Sequence, residues 1–417
     1  MTCALDVWPL SGRGGAPTIY KTLEAYGRRG HRIDFVSPTV GANHHHGAPP
    51  APPPEIEGVT FHSFHLPSLG ESRVSLPDIL GSADQKLRFA ALFPVIASRV
   101  AGRLLSRQPA DLLYGYEVHG VLAQRLVRRR WPLPLVARFQ GTVMRPHLDR
   151  WHGRLRRYEE VLALRTPAQL YIMTDDGTQG DEVLSRLNPG SAGRVRFWRN
   201  GLDLAHVRPP TPEEACRARG SLGLPADAFV LVTAARLARW KRIDRAVDAL
   251  GLLRATVPSA RLVVVGDGEE AENLRSQAAQ LGLAAAVSFV GAVPQEEVLR
   301  HLWAADVFLS LNELSNVGNP LLEAMAARRC ILTIDEGDTR DLVRDGETGV
   351  LLPSGEPEVI AAALVALAGD PEGRARLAAG AAAFAGDHFW SWQERLDAEI
   401  DAVEALADQV KLGLRRG

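Results

Sequence analysis

The chain has 417 residues, 46% of them apolar and 23% charged, with a formal net charge of −1. That is ordinary globular material, long enough for two domains of about 200 residues each, and it contains no basic stripe interleaved with aromatics of the kind that binds nucleic acid. Its three cysteines, Cys3, Cys216 and Cys330, are odd in number and far apart. This argues against a disulfide framework or a metal knuckle and makes the cytoplasm the expected compartment.

The opening "MTCALDVWPL" has no basic segment before its apolar residues, and no apolar run approaches the roughly 18 residues needed to span a bilayer. The expectation is a chain neither exported nor embedded. Charge is unevenly placed: residues 1–200 carry 26 Lys+Arg against 17 Asp+Glu (26 − 17 = +9), and residues 201–417 carry 22 against 32 (22 − 32 = −10). A solvated surface accounts for this. The alternative is a first half that meets something anionic, such as a membrane surface or a phosphorylated acceptor. Only four lysines occur, Lys21, Lys86, Lys241 and Lys411, so a lysine in a loop carries information.

Along the chain, short runs rich in Val, Leu and Phe alternate with helical stretches. The first half offers "ALDVWP", "RIDFVSP", "VTFHSF", "DLLYGY", "PLVARF", "QLYIMT" and "RVRFWRN". The second offers "FVLVTAAR", "ARLVVVGDG", "VSFVGAV", "DVFLSLN", "CILTID" and "GVLLP". Runs without alternation, spaced by helices, are parallel strands covered on both faces. The expected class is α/β, with two doubly wound Rossmann-like domains and a cleft between them.

Expected boundaries are a first domain over 1–200, a second over 201–390, and a final helix over 391–417. The first boundary follows from the prolines in "NGLDLAHVRPPTPEEA". The loop "TVGANHHHGAPPAPPPEIEG", residues 39–58, is Pro- and His-rich; its adjacent histidines invite a metal reading but share no face, so a metal site is not the expectation there.

Ligands of such sheets bind at the carboxyl ends of strands. After the first strand, "LSGRGGAP" places Gly14 and Gly15 where backbone N–H groups can approach an anion. After the first strand of the second half, "AARLARWK" sets Arg236 and Lys241 five apart, able to reach one diphosphate, Arg as a planar fork and Lys as a point charge. Glycine turns follow at Gly266 and Gly291. "NELSNVGNPLLEAM" then feeds a helix that Asn319 is expected to cap and Pro320 to open. Glu323 lies one turn in, among residues that look buried.

In this order and spacing "ARLARWK", "VVVGDG", "VSFVGAVPQEEV", "AADVFLSLN", "NPLLEAMA" and "DLVRDGETGVLLP" resemble the nucleotide-binding half of the group 1, glycogen synthase-like glycosyltransferases, retaining enzymes of the GT-B fold. The resemblance implies transfer of a sugar from a nucleoside diphosphate sugar, UDP-linked by preference or GDP-linked, to a hydroxyl of a small molecule, natural product, glycan or lipid. It implies that Arg236 and Lys241 bind the diphosphate and that Glu323 accepts from both ribose hydroxyls. Gly266, Gly291 and Val293 would lie along the nucleotide. No cofactor or metal is implied, because a donor phosphate oxygen takes the acceptor proton and the protein needs no nucleophile.

Two positions depart from the family pattern. Its second carboxylate, eight residues before the ribose glutamate, is Ser315 here, with Glu313 nearby; Ser315, Asn316, Val317, Gly318 and Asn319 are expected to cover the donor sugar and phosphate through backbone N–H groups. The family's histidine at the end of a first-domain strand is Gln140, and Glu117 and His119 in "YGYEVHG" are candidates for acceptor contact. These departures point to an altered sugar preference. The alternatives are a catalytically silent sugar-nucleotide-binding protein or a nucleotide-sugar epimerase on the same fold. Residues 85–108 read as a helix packed on the core, with snorkelling arginines; a membrane contact through the basic first half is the other possibility.

Overall fold

The structure, a computed structural model, describes residues 1–4, 17–39, 54–67 and 86–414. The chain divides into two units: Met1–Asp175, Gln179–Arg199 and Gln393–Gly417 form one, and Asp176–Thr178 with Asn200–Trp392 form the other. The glycine loop with Gly14 and Gly15 and the His-rich segment lie outside the described residues.

In the first unit the described strands are β1 (Thr2–Cys3), β2 (Ile33–Thr39), β3 (Val59–His65), β4 (Leu113–Tyr116), β5 (Leu135–Phe139), β6 (Leu170–Thr174) and β7 (Val195–Trp198). They form one parallel sheet in the order β3-β2-β1-β4-β5-β6-β7. Every residue of β5 and β6 is buried. This is why these runs lack the alternation of a half-exposed strand: helices cover both faces.

Residues 87–107 run as a π-helical turn, Leu87–Leu92, into the α-helix Phe93–Arg107. Among the described residues it is the one helix long and apolar enough to cross a membrane by length and composition. Phe93 and Ala97 are buried against Val36, Leu66 and Ala123, and Arg99, Arg103 and Arg107 are exposed. Arg88 does not snorkel: it is buried and donates from Nη2 to the Leu66 carbonyl at 2.9 Å.

The final helix, Trp392–Leu414, supplies the first unit with a buried ionic group. Glu399 accepts from Tyr114 Oη at 2.6 Å, from Arg395 Nη1 at 3.0 Å and from Arg138 Nη1. Arg138 also lies over the Tyr116 ring and Arg395 over the Trp198 ring. Burial, then the nearby Arg138 charge, brings the Arg395 guanidinium down to about 9.

The second unit holds β8 (Val230–Ala234), β9 (Arg261–Val265), β10 (Val287–Gly291), β11 (Val307–Ser310), β12 (Cys330–Ile334) and β13 (Val350–Leu352). The order is β10-β9-β8-β11-β12-β13, again parallel. Successive side chains point to opposite faces. Leu231, Leu262, Leu309 and Leu332 therefore join one apolar layer, with the helices Ile243–Leu253 and Pro357–Gly369. Val230, Val232, Phe308 and Ile331 join the other, with Leu321, Leu322 and Phe384. Strand order reverses between β8 and β11.

Candidate functional site

The loops after β8 and β11 meet at that reversal, the place where doubly wound sheets bind ligands. Lys241 ends a short 3-10 turn, Arg239–Lys241, and its Nζ donates to the Ser315 carbonyl at 3.0 Å. The ammonium is partly buried. Burial lowers Lys241 to about 8, against a rise contributed by Asp176. A poorly solvated cation held at a strand end is a ready partner for an anion, because water competes weakly for it.

Arg236 behaves differently. Its side chain is 70% exposed and donates from Nη2 to Glu269 Oε2 at 3.2 Å. To reach a phosphate it must leave that surface pair, which exposure makes inexpensive. Glu313 is also turned outward, 61% exposed and 3.7 Å from Arg242.

Gly266, directly after β9, has φ +130, and a Cβ there would lie 1.9 Å from the Ala235 carbonyl oxygen. No side chain fits. Its N–H donates to the Gly291 carbonyl at 2.9 Å, so the turns after β9 and β10 are joined. Gly291, at φ +83, borders open space, and Val293 is partly buried against the apolar layer.

Ser315 has φ +58, in the left-handed region. Its carbonyl accepts from Lys241 and, at 3.1 Å, from Asn312 Nδ2. Asn316 is buried and donates to the Glu336 carbonyl at 3.1 Å. Val317 N–H donates to the Asp176 carbonyl at 2.9 Å.

The following helix is Asn319–Ala326, and its N-cap is Gly318. The expected cap at Asn319 is corrected: Asn319 is the first helical residue and makes no cap bond, its Oδ1 accepting from Asn200 Nδ2 at 3.1 Å. The Gly318 N-cap leaves early N–H groups of the helix without a side-chain cap, the arrangement that suits an anion. Glu323 is buried, 5% exposed, between Leu322 and Ala324.

In the first unit, Glu117 and Gln140 are brought together at the ends of β4 and β5: Gln140 N–H donates to Glu117 Oε1 at 2.7 Å, and Gln140 Nε2 donates to Tyr116 Oη. Glu117 itself has φ +62. His119 packs on Phe89 with ring centroids 5.9 Å apart, and burial lowers its pKa, offset by Glu159. The sequence reading missed Asp176 and Asn200. The only local signal for Asp176 was the pair of acids and the glycine in "TDDGT", immediately after β6.

Residues 217–384 match the family model described as glycosyl transferases group 1. The chain is 32% identical over 228 residues to the D-inositol 3-phosphate glycosyltransferase of Acidothermus cellulolyticus, covering 52% of this chain and 50% of that one. It is 33% identical over 172 residues to the putative glycosyltransferase EpsD of Bacillus subtilis, 41% and 45% of the two chains. The chain thus spans about half the length of the curated relatives it matches.

Among solved structures it is similar to Anabaena Alr3699/HepE in complex with UDP and glucose, with TM-score 0.70 and 19% identity over 97% of this chain and 98% of that one. It is likewise similar to the sucrose-phosphate synthase of Thermosynechococcus elongatus, with TM-score 0.71 and 18% identity over 100% and 98%. The fold is GT-B. Residues 217–384, all in the second unit, are what is similar to the group 1 glycosyl transferases.

Proposed function

We propose that the protein is a retaining glycosyltransferase that moves a sugar from a nucleoside diphosphate sugar to an acceptor hydroxyl. The observation that carries this reading is the Lys241 ammonium held at the β8/β11 reversal, beside the loop that opens the helix bearing Glu323. The acceptor oxygen bonds to the anomeric carbon on the face the leaving group occupied. The carbon–oxygen bond to the diphosphate breaks with its electron pair going to the diphosphate, and the hydroxyl proton passes to a phosphate oxygen.

Lys241 and Arg236 stabilise the charge that grows on the diphosphate. Glu323, acceptor-only when ionised, takes both ribose hydroxyls. Gly266, Gly291 and Val293 border the nucleotide, and residues 315–319 cover the sugar and phosphate. Gln140, Glu117 and His119 are the first-unit residues assigned to sugar and acceptor recognition. The acceptor is a small molecule, natural product, glycan or lipid-linked hydroxyl.

UDP is the first nucleotide to test, since the Anabaena protein holds it. At a hundred times its Kd a ligand stabilises the native state by about 2.7 kcal/mol, so UDP should raise Tm by several degrees, with GDP, ADP and dTDP compared alongside. No shift with any of the four refutes the donor site. Hydrolysis of a nucleotide-sugar panel then identifies the sugar, and release of the inverted anomer would refute retention. Glu323→Gln keeps the shape but loses the charge and one acceptor. It should weaken UDP binding roughly tenfold, about 1.5 kcal/mol for a charged hydrogen bond, as read by titration calorimetry.

A further inference from the structure

We propose that Asp176 is a positioning residue of the donor site: from the loop after β6 it holds the Ser315 hydroxyl, and through Ser315 it aims Lys241. The proposal rests on the glycosyl-transfer reading above. Ser315 directs its hydroxyl to Asp176 Oδ2 at 2.8 Å. The Asp176 negative charge thus lies one hydrogen bond beyond Ser315.

The short segment 176–178 is built to hold that carboxylate still. Asp176 Oδ1 accepts from Thr178 Oγ1 at 2.5 Å and from Thr178 N–H at 3.2 Å, while the Asp176 carbonyl accepts the Val317 N–H at 2.9 Å. Both side-chain oxygens and the main chain are therefore engaged, which leaves the carboxylate as a brace more than a free ligand. Gly177, at φ +86, lies against the same loop: a Cβ there would be 2.8 Å from the amide nitrogens of Asn316 and Val317. On its other side a Cβ on Gly337 would be 2.2 Å from the Gly177 carbonyl oxygen. Three loops thus close on one another through backbone, with no room for a side chain at either glycine.

The brace has a purpose at Ser315. A serine at φ +58 occupies a sparsely populated conformation that persists only where its surroundings hold it. Here Asp176 holds the hydroxyl, and Lys241 and Asn312 hold the carbonyl. Release of the hydroxyl frees the residue to leave this conformation, and the carbonyl that orients Lys241 Nζ turns with it.

The charges around Lys241 support the assignment. Arg242 is paired with Asp244 and lies near the exposed Glu313, and Arg245 donates to the Leu311 carbonyl. Arg239 is exposed, and Glu336, whose carbonyl receives Asn316, belongs to the loop of Gly337. Against the burial that lowers Lys241, Asp176 is the charge that favours its ammonium form. Burial raises the Asp176 carboxyl, while Thr178, Ser315 and the Lys241 charge lower it.

The test uses the full chain, UDP as the binding probe, and whichever nucleotide sugar it hydrolyses fastest. Asp176→Asn removes the charge and one of the two acceptor oxygens, keeping the other for either Ser315 or Thr178. It should lower kcat at least tenfold and leave the Kd for UDP within threefold. It should also move the alkaline limb of kcat/KM to lower pH, because Lys241 loses the charge that holds its proton. A merely structural role would not move that limb.

Ser315→Ala cuts the link and should lower kcat with UDP affinity likewise kept; it decides the matter if Asp176→Asn fails to fold. A kcat within threefold of wild type, with the limb unmoved, overturns the proposal while UDP binding and hydrolysis by the wild type leave the transferase reading standing. A wild-type protein that neither binds UDP nor hydrolyses any nucleotide sugar overturns both.

Discussion

Lys241→Ala is expected to reduce turnover on the preferred nucleotide sugar by roughly a hundred- to a thousandfold, the scale for removing one group aimed at charge that develops in a transition state. The ammonium is already in place before any ligand arrives, fixed by the Ser315 carbonyl and partly shielded from water. Little reorganisation is needed as the diphosphate gains charge.

The effect should fall chiefly on kcat, since the charge to be stabilised grows most at the transition state. Arg236→Ala should cost less, because that guanidinium is exposed and must first leave Glu269. Steady-state kinetics with the hydrolysed sugar separates these outcomes. Equal losses in the two variants, or an unchanged kcat for Lys241→Ala, would remove Lys241 from its role. The sign of the pH dependence follows from the same group. Lys241 is cationic below about pH 8 in the free protein and neutral above it. Activity measured as kcat/KM should therefore decline as pH rises through that region.

The fold was legible because its strands are buried on both faces. "LVARF" and "CILTI" show no alternation, and the structure has each of these segments buried throughout. Lys241 stood out for a compositional reason: in an arginine-rich chain a lysine at a strand end is conspicuous. Ser315 stood out as an absence.

What the sequence hid were relations between distant segments. Asp176 and Ser315 are 139 positions apart, and Arg138 and Glu399 are 261 apart. Nothing in either local pattern names the other partner. Asn319 was misread as a cap because it is a good capping residue beside a proline. The cap instead lies one residue earlier, at Gly318, leaving the Asn319 amide oxygen to receive Asn200.

The largest stability effect is expected at Glu399→Ala. Arg138 and Arg395 are each 1% exposed by side chain and share the Glu399 carboxylate. Removing it strands two buried guanidinium groups in a medium that solvates them poorly, at a cost of about 3–5 kcal/mol for a broken buried pair. Tyr114 loses its acceptor at the same time.

Global unfolding curves for a chain of two units are not two-state, so hydrogen exchange is the better readout. Amides of β4, β5 and β6 should lose protection while those of β8 and β9 keep it. The disturbance should also reach Gln140, whose amide donates to the hydroxyl of the Tyr116 that lies under Arg138. Replacing the three ionic residues together, with Arg138→Met, Arg395→Met and Glu399→Leu, removes the uncompensated charge along with its partner and should recover most of the loss. If the single and triple variants lose protection equally, packing outweighs charge at this site. If Glu399→Ala exchanges like wild type, the buried group contributes nothing to the first unit's stability.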